Sequence, residues 1–286
     1  MKKILIPTDF SPAARNAALY AVELAKSMQC ELLLYHAYVI QVAPATEVPW
    51  VIVPDLTDIE NDKKMRMEKE IAFLSVQNNT VKITSLITVG VPVDEILNLE
   101  KAEKVSYIVM GMKKSGALRE FIVGSVATQV IRKSEVPVIV VPEDYSFKKI
   151  IKIAFASDYN IETDTSILQP LKDFSEYFNS QLLILNVTEK KEENLQFEKA
   201  AVEIKMDHYF EEVEHTFHFS EDSDLMHGLN EFIKQHQIDM VVTVSHQHNL
   251  LERIFRKNNN KKIAFHTPIP LLTIPDTHKK MSAYFV

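Results

Sequence analysis

Short apolar runs alternate along this chain with longer stretches whose apolar positions recur every three or four residues. The short runs are of strand length; the longer stretches have the period of a helix with one buried face. In the first half this predicts strands over about Lys3–Ile6, Glu31–His36, Lys82–Val89, Tyr107–Met110 and Val138–Val141. It predicts helices over about Ala13–Met28, Asn61–Gln77, Val93–Lys101 and Ser125–Lys133. Runs such as Leu32-Leu33-Leu34-Tyr35 are apolar on both faces, which suits a sheet covered by helices on both sides. Alternating strands and helices specify an α/β fold with a doubly wound parallel sheet. Ligands of such sheets bind at the carboxyl ends of the strands. Asp9, His36-Ala37 and Gly111 each fall just past a predicted strand end and converge on one crevice.

The pattern then repeats with a period of roughly 130–150 residues. Residues 3-KILIPTDFSPAARNAALYAVELAKSMQCELLLYHAY-38 have a counterpart in 152-KIAFASDYNIETDTSILQPLKDFSEYFNSQLLILNVT-188, and 136-VPVIVVP-142 has one in 269-IPLLTIP-275. Strands 106-SYIVM-110 and 239-DMVVT-243 precede those closing segments. The expectation is two similar domains in tandem, 1–145 and 146–286. Their last strands, Val138–Val141 and Leu271–Ile274, are short, apolar and flanked by prolines, and are expected to pair with each other.

Composition narrows the function classes. The 286 residues carry a net charge of −7, against a general nucleic-acid or anionic-membrane binder. The longest apolar runs fall well short of the ~20 residues that span a bilayer. The N-terminal apolar run is too short for a signal peptide. The single cysteine, Cys30, has no internal partner for a disulfide and reads as a buried apolar residue. A reducing cytoplasm is the expected location.

Three of the five glycines fall inside 111-GMKKSGALREFIVGS-125, between a strand and a helix. A loop closed by Gly124-Ser125 at a helix start has the chemistry of a phosphate cradle, since free N–H groups and the helix dipole favour an anion there. The spacing matches neither a Walker A motif nor a dinucleotide fingerprint. The competing reading is that Gly111 ends a strand and Gly124 permits close helix packing.

The turn Pro7-Thr8-Asp9-Phe10-Ser11, the strand end His36-Ala37, the loop Met110-Gly111 and the pair Gly124-Ser125 resemble the universal stress protein family. The whole chain resembles its tandem form, strongly in the first half and weakly in the second. That resemblance implies adenine nucleotide alpha hydrolase-like, Rossmann-like domains. The nucleotide-binding branch of the family carries a glycine, two residues, a second glycine, nine residues, then Gly-Ser or Gly-Thr. Here Gly111 is followed by Met112-Lys113, and Lys114 stands where the second glycine belongs; Gly116 is out of register. The resemblance implies an adenosine moiety against Pro7, Thr8, Asp9 and Ala37, with Asp9 on the ribose hydroxyls and the backbone of Ala37 on adenine. It places the phosphates against Met110-Gly111, Lys113 and the helix start Gly124-Ser125-Val126. At Lys114 two outcomes stand open: its Cβ closes the loop, or its ammonium binds phosphate as a point charge. In the second half Asp158 matches Asp9, but Ala156 replaces the proline, Val244 stands opposite Gly111, Lys257 opposite Gly124 and Asn258 opposite Ser125.

The function expected is therefore a cytoplasmic, stress-associated sensor or regulator that binds ATP or a related adenine nucleotide, with or without Mg, in the first half only. No residue set for efficient hydrolysis is visible. An interaction scaffold without nucleotide and a slow ATPase are the alternatives. The expected partners are the nucleotide and a protein, not nucleic acid or membrane, with the two halves forming an internal pseudo-dimer and a further homodimer left open. Of the ten histidines nine lie in the second half, and pairs such as His215/His218 and His246/His248 admit a metal reading against one of scattered surface histidines. The apolar segment 38–56, with Trp50, reads as a loop packed on its own domain, against a lid over the nucleotide site or a partner surface. Arg253, Arg256, Lys257, Lys261 and Lys262 read as a solvated helix face or a polyanion patch.

Overall fold

The alternation of elements builds one continuous sheet from both halves of the chain. The computed structural model describes residues 2–40, 56–78, 80–115, 120–157, 165–188, 196–222, 224–245, 264–265 and 268–276. In the first half β1 (Lys3–Pro7), β2 (Glu31–Tyr38), β3 (Ile83–Val89), β4 (Tyr107–Ser115) and β6 (Val138–Pro142) alternate with α1 (Pro12–Met28), α2 (Leu56–Gln77), α3 (Pro92–Ala102) and α4 (Ser125–Lys133), and β5 (Glu120–Ile122) lies between β4 and α4. The second half contributes β7 (Lys152–Ala156), a 3-10 turn (Thr165–Leu168), α5 (Gln169–Phe178), β8 (Gln181–Thr188), α6 (Gln196–Tyr209), β9 (His215–Glu221), α7 (Leu225–His236), β10 (Met240–Ser245), β11 (Ala264–Phe265) and β12 (Leu271–Pro275). The strand order is β3-β2-β1-β4-β6-β12-β10-β7-β8-β9. Each half is a parallel, doubly wound sheet, and the second is arranged as the mirror sequence of the first.

The halves meet where β6 and β12 run antiparallel, with Val138 opposite Thr273 and Val140 opposite Leu271. Thr273 Oγ1 adds a bond to Val138 O at 3.2 Å. Equivalent strands keep equivalent registers. Lys3 pairs with Glu31 as Lys152 pairs with Gln181, and Gly111 pairs with Val141 as Val244 pairs with Ile274. The segment between β6 and β7 is held against α1, where Asn16 Nδ2 donates to Pro142 O and Tyr145 O at 2.8 and 2.9 Å.

Two apolar layers cover the sheet. One face packs Ile4, Ile6, Leu24, Leu32 and Leu34 with α1; the other packs Leu5, Tyr35, Ile108 and Val140 with α3 and α4. Helix α1 turns six alanines, Ala13, Ala14, Ala17, Ala18, Ala21 and Ala25, toward the sheet, which lets it lie close. Ser11 caps it, Pro12 supplies a pre-set φ at its start, and Gln29 ends it in the left-handed region. Buried Glu70 of α2 ties α1 to α2 by taking both Arg15 Nε (2.9 and 3.1 Å) and Arg15 Nη2 (2.6 Å).

Strand β2 runs on through Ala37 to Tyr38, and two elements differ from the expected pattern by five residues. Helix α2 begins at Leu56, ahead of Asn61. Strand β4 does not stop at Met110 but runs to Ser115. Its extension finds an antiparallel partner in β5, and β5 in turn pairs with β11 of the second half, Ile122 with Ala264 and Phe121 with Phe265. Local sequence carries no sign of that pairing, because the third strand lies some 140 residues away.

Candidate functional site

At the carboxyl end of β1 the chain must leave the sheet and enter α1 within four residues. Thr8 makes the last ladder bond, N–H to Tyr35 O at 2.7 Å. Phe10 takes the left-handed region at φ 62, an uncommon conformation for a bulky residue and a cost of about 1 kcal/mol or more. Local bonds offset it: Phe10 N–H donates to Thr8 Oγ1, and Ser11 N–H to Asp9 Oδ1, each at 3.0 Å. Asp9 is thereby fixed by one carboxylate oxygen. The other faces Lys113 Nζ across the mouth of the crevice at 3.9 Å.

Beside it, the peptide groups of β2 alternate between neighbours. Glu31 N–H donates to Lys2 O and Thr8 N–H reaches Tyr35 O on the β1 side, whereas Leu32 N–H and Tyr38 O serve the β3 side. Ala37 continues the odd-numbered series beyond the end of β1. Its N–H and C=O therefore present an adjacent donor and acceptor where β1 has already turned away.

His36 Nδ1 lies 2.7 Å from Thr8 O. A carbonyl only accepts, so Nδ1 carries the proton and donates, which leaves Nε2 as an acceptor. Nε2 is buried with no partner among the described residues. The second half reproduces the arrangement: Asn186 Nδ2 donates to Ser157 O at 2.9 Å, and Asn186 Oδ1 is likewise buried without a partner. Burial depresses the His36 pKa, with Lys63 and Arg66 acting the same way and Thr8 O and Asp9 opposing. His36 is a packed hinge for the turn.

The two key glycines have different reasons. A Cβ on Gly111 would stand 2.3 Å from Ala13 O and 2.5 Å from Ala13 C, so glycine is what lets the start of α1 lie against β4. Close packing, not a strand end, explains this residue. Gly124 is the reverse case. It precedes α4 with φ −63 and ψ 160, open to any residue, and a Cβ there would meet nothing within 4 Å. Neither strain nor packing calls for glycine, and the competing reading that Gly124 permits close helix packing does not hold. Gly124 offers no side-chain cap. The first N–H groups of α4 therefore have no side-chain cap, and the helix start borders open space.

That space is a cavity of about 690 Å³, within the range of small-molecule sites. It is lined by Pro7, Thr8, Asp9, Ala37, Met110, Gly111, Lys113, Lys114, Gly124, Ser125 and Val126, together with apolar walls from Tyr35, Ile96 and Val123. The fold thus brings all the sequence-selected site residues to one cavity. Sequence reasoning passed over the walls, and also Glu143 and Asp144. Lys114 N–H donates to Glu143 Oε2 at 3.3 Å, and the Lys114 ammonium pairs with Asp144. Their signal was positional: they follow β6 directly, beside the strand that carries Gly111.

In the second half Val244 occupies the Gly111 position and is buried. Asp158, Lys257 and Asn258 lie outside the described residues, as do Gly116, Trp50, His246, His248 and the basic run from Arg253 to Lys262. His215 packs on Phe210 and Phe217, while His218 packs on Phe232 and His236, so the two histidines serve opposite faces of β9. Among the described residues no group of three or more His, Cys, Asp and Glu is placed to hold a metal ion. Cys30 is buried, and desolvation raises its pKa.

The architecture defines a doubly wound α/β protein whose two halves share a strand order, with a cavity at the strand ends of the first half. A model of the universal stress protein family matches residues 1–142. The chain is 34% identical over 144 residues to universal stress protein MJ0531 of Methanocaldococcus jannaschii, covering 49% of this chain and 81% of that protein. It is 32% identical over 144 residues to universal stress protein YxiE of Bacillus subtilis, covering 49% and 97%. The chain belongs to the universal stress protein family. The crystal structure of a universal stress protein from Archaeoglobus fulgidus superimposes along both halves, covering 96% of this chain and 98% of that one with a TM-score of 0.73 at 17% identity, which fixes the common fold. No helix among the described residues is long and apolar enough to cross a membrane.

Proposed function

We propose that the first half binds an adenine nucleotide and that the protein acts as a nucleotide-responsive sensor or regulator in the stress response. The observation that carries the reading is Gly124, a glycine with no structural need, at an uncapped helix start that opens on the cavity. Phosphate oxygens suit the N–H groups of Ser125 and Val126. The donor–acceptor pair of Ala37 suits the edge of adenine, and the Asp9 oxygen that faces Lys113 suits a ribose hydroxyl. Lys113 adds positive charge at the mouth. In the second half Val244, Lys257 and Asn258 stand in place of Gly111, Gly124 and Ser125, so binding is assigned to the first half. The alternative, an interaction scaffold without nucleotide, is favoured by one observation: the Lys114 N–H and its ammonium are already engaged by Glu143 and Asp144.

The experiment is mass spectrometry of small molecules released from the heat-denatured protein, followed by thermal shift with adenine nucleotides. A ligand that binds only the folded state raises the melting temperature by mass action. Guanine and cytosine nucleotides are expected to raise it less. No shift with any adenine nucleotide at millimolar concentration refutes the proposal in favour of the scaffold.

A further inference from the structure

We infer that the cavity selects an adenine nucleotide carrying a single phosphate, and that Glu143 and Asp144 set this limit as the two carboxylates held against Lys114, which lines the cavity. The inference rests on the reading of the cavity as an adenine-nucleotide site.

Three features lead to it. Strands β4 and β6 run parallel in a register that sets Met112 opposite Pro142. The chain leaving β6 continues alongside β4, with Glu143 N–H donating to Met112 O at 3.1 Å. This delivers two carboxylates beside Lys114. Glu143 Oε2 takes the Lys114 N–H at 3.3 Å, and Asp144 takes the Lys114 ammonium.

The two ends of the phosphate region are therefore unlike. Toward Gly124 the helix start is open and uncapped, and Lys113 lines the cavity with only a loose contact to Asp9 at 3.9 Å. One phosphate finds N–H donors and a cation there. Toward Lys114 the backbone N–H and the ammonium are each engaged already, and both of their acceptors are anionic. A second or third phosphate arriving at that end must displace a carboxylate or stand beside two of them. Both outcomes disfavour ADP and ATP, whose added charge increases with each phosphate. Lys114 thus acts neither as an open phosphate ligand nor as a plain obstruction. It is the anchor that holds the two acids in place.

The test uses the full chain and equilibrium titration with AMP, ADP and ATP at fixed ionic strength, with and without Mg²⁺. The wild-type protein is expected to bind AMP at least about tenfold more tightly than ATP, with ADP between them. In the Glu143→Gln/Asp144→Asn variant the groups stay nearly isosteric and lose their charge. Affinity for ATP relative to AMP is then expected to rise about tenfold. Circular dichroism and the melting temperature check that the variant is folded, and the single variants repeat the measurement if the double variant is not. ATP binding as tightly as AMP to the wild type overturns the inference and leaves the nucleotide reading standing. So does an unchanged AMP-to-ATP ratio in the variants. Tighter binding of Mg²⁺-ATP that is lost in the variants overturns it in another way, making the acids metal ligands. Absence of binding by all three nucleotides overturns the inference together with the nucleotide reading.

Discussion

Adding one side chain to Gly124 and another to Gly111 separates function from fold. At Gly124 the backbone angles, φ −63 and ψ 160, admit valine without strain, and the new Cβ meets no atom within 4 Å. Restricting the unfolded chain stabilises by about 0.4–1 kcal/mol, while a poorer residue before a helix costs a comparable amount. Gly124→Val should therefore leave stability within about 1 kcal/mol of wild type. The valine projects into the cavity at the helix start, where a phosphate must sit. Loss of two hydrogen bonds to a charged group, about 1.5–3 kcal/mol each, weakens binding at least about 100-fold. Gly111→Ala predicts the opposite balance. Its Cβ falls 2.3 Å from a backbone oxygen of α1, which cannot swing aside as a side chain can. Overpacking of this kind costs about 1–3 kcal/mol or more, a drop of several degrees in melting temperature. The assay is thermal unfolding by circular dichroism beside calorimetric titration with AMP. A Gly124→Val protein that binds AMP like wild type, or one that is destabilised as much as Gly111→Ala, refutes the reasoning.

Three further outcomes follow from the packing. His36→Asn, which borrows the residue used at the equivalent position of the second half, should keep the bond to Thr8 O. His36 has a folded pKa below its unfolded value, so its contribution is present above the unfolded pKa of about 6.5 and is lost as pH falls toward the folded one. The wild type should lose more stability than the variant between about pH 7 and pH 5, measured by urea unfolding; parallel curves would contradict this. Arg15→Met leaves the carboxylate of Glu70, 2% exposed, without its partner and should cost about 2 kcal/mol, less than for a fully buried pair because Arg15 is 47% exposed. Adding Glu70→Leu should recover most of that loss, and a double variant no more stable than Arg15→Met would count against the argument. A fragment of residues 1–145 exposes the β6 edge that β12 covers and should self-associate in sedimentation velocity, whereas a stable monomer would show the joint to be dispensable.

Much of this fold is legible in the sequence because buried parallel strands must be apolar on both faces. Leu32-Leu33-Leu34-Tyr35 announces β2, and its counterpart in the second half, Leu182-Leu183-Ile184-Leu185, announces β8. The site was legible because Asp9, Ala37 and Gly111 all lie toward the carboxyl ends of neighbouring parallel strands, although Ala37 and Gly111 fall inside β2 and β4 rather than past them. What stayed hidden depends on distant partners. The extension of β4 to Ser115 is supported by β5 and β11, and no local pattern encodes a strand completed from the other half. The reason for Gly111 lies in the backbone of α1, and a glycine in sequence does not say which neighbour demands it. Glu143 and Asp144 look like ordinary linker acids until the register of β4 and β6 sets them beside Lys114.

The most direct measurement is calorimetric titration of the intact chain with AMP, repeated on Gly124→Val. Binding in the first half alone predicts one site per chain for the wild type and no resolvable heat for a variant that remains folded. Two equivalent sites per chain, or no heat from the wild type with either AMP or ATP at millimolar concentration, would contradict it.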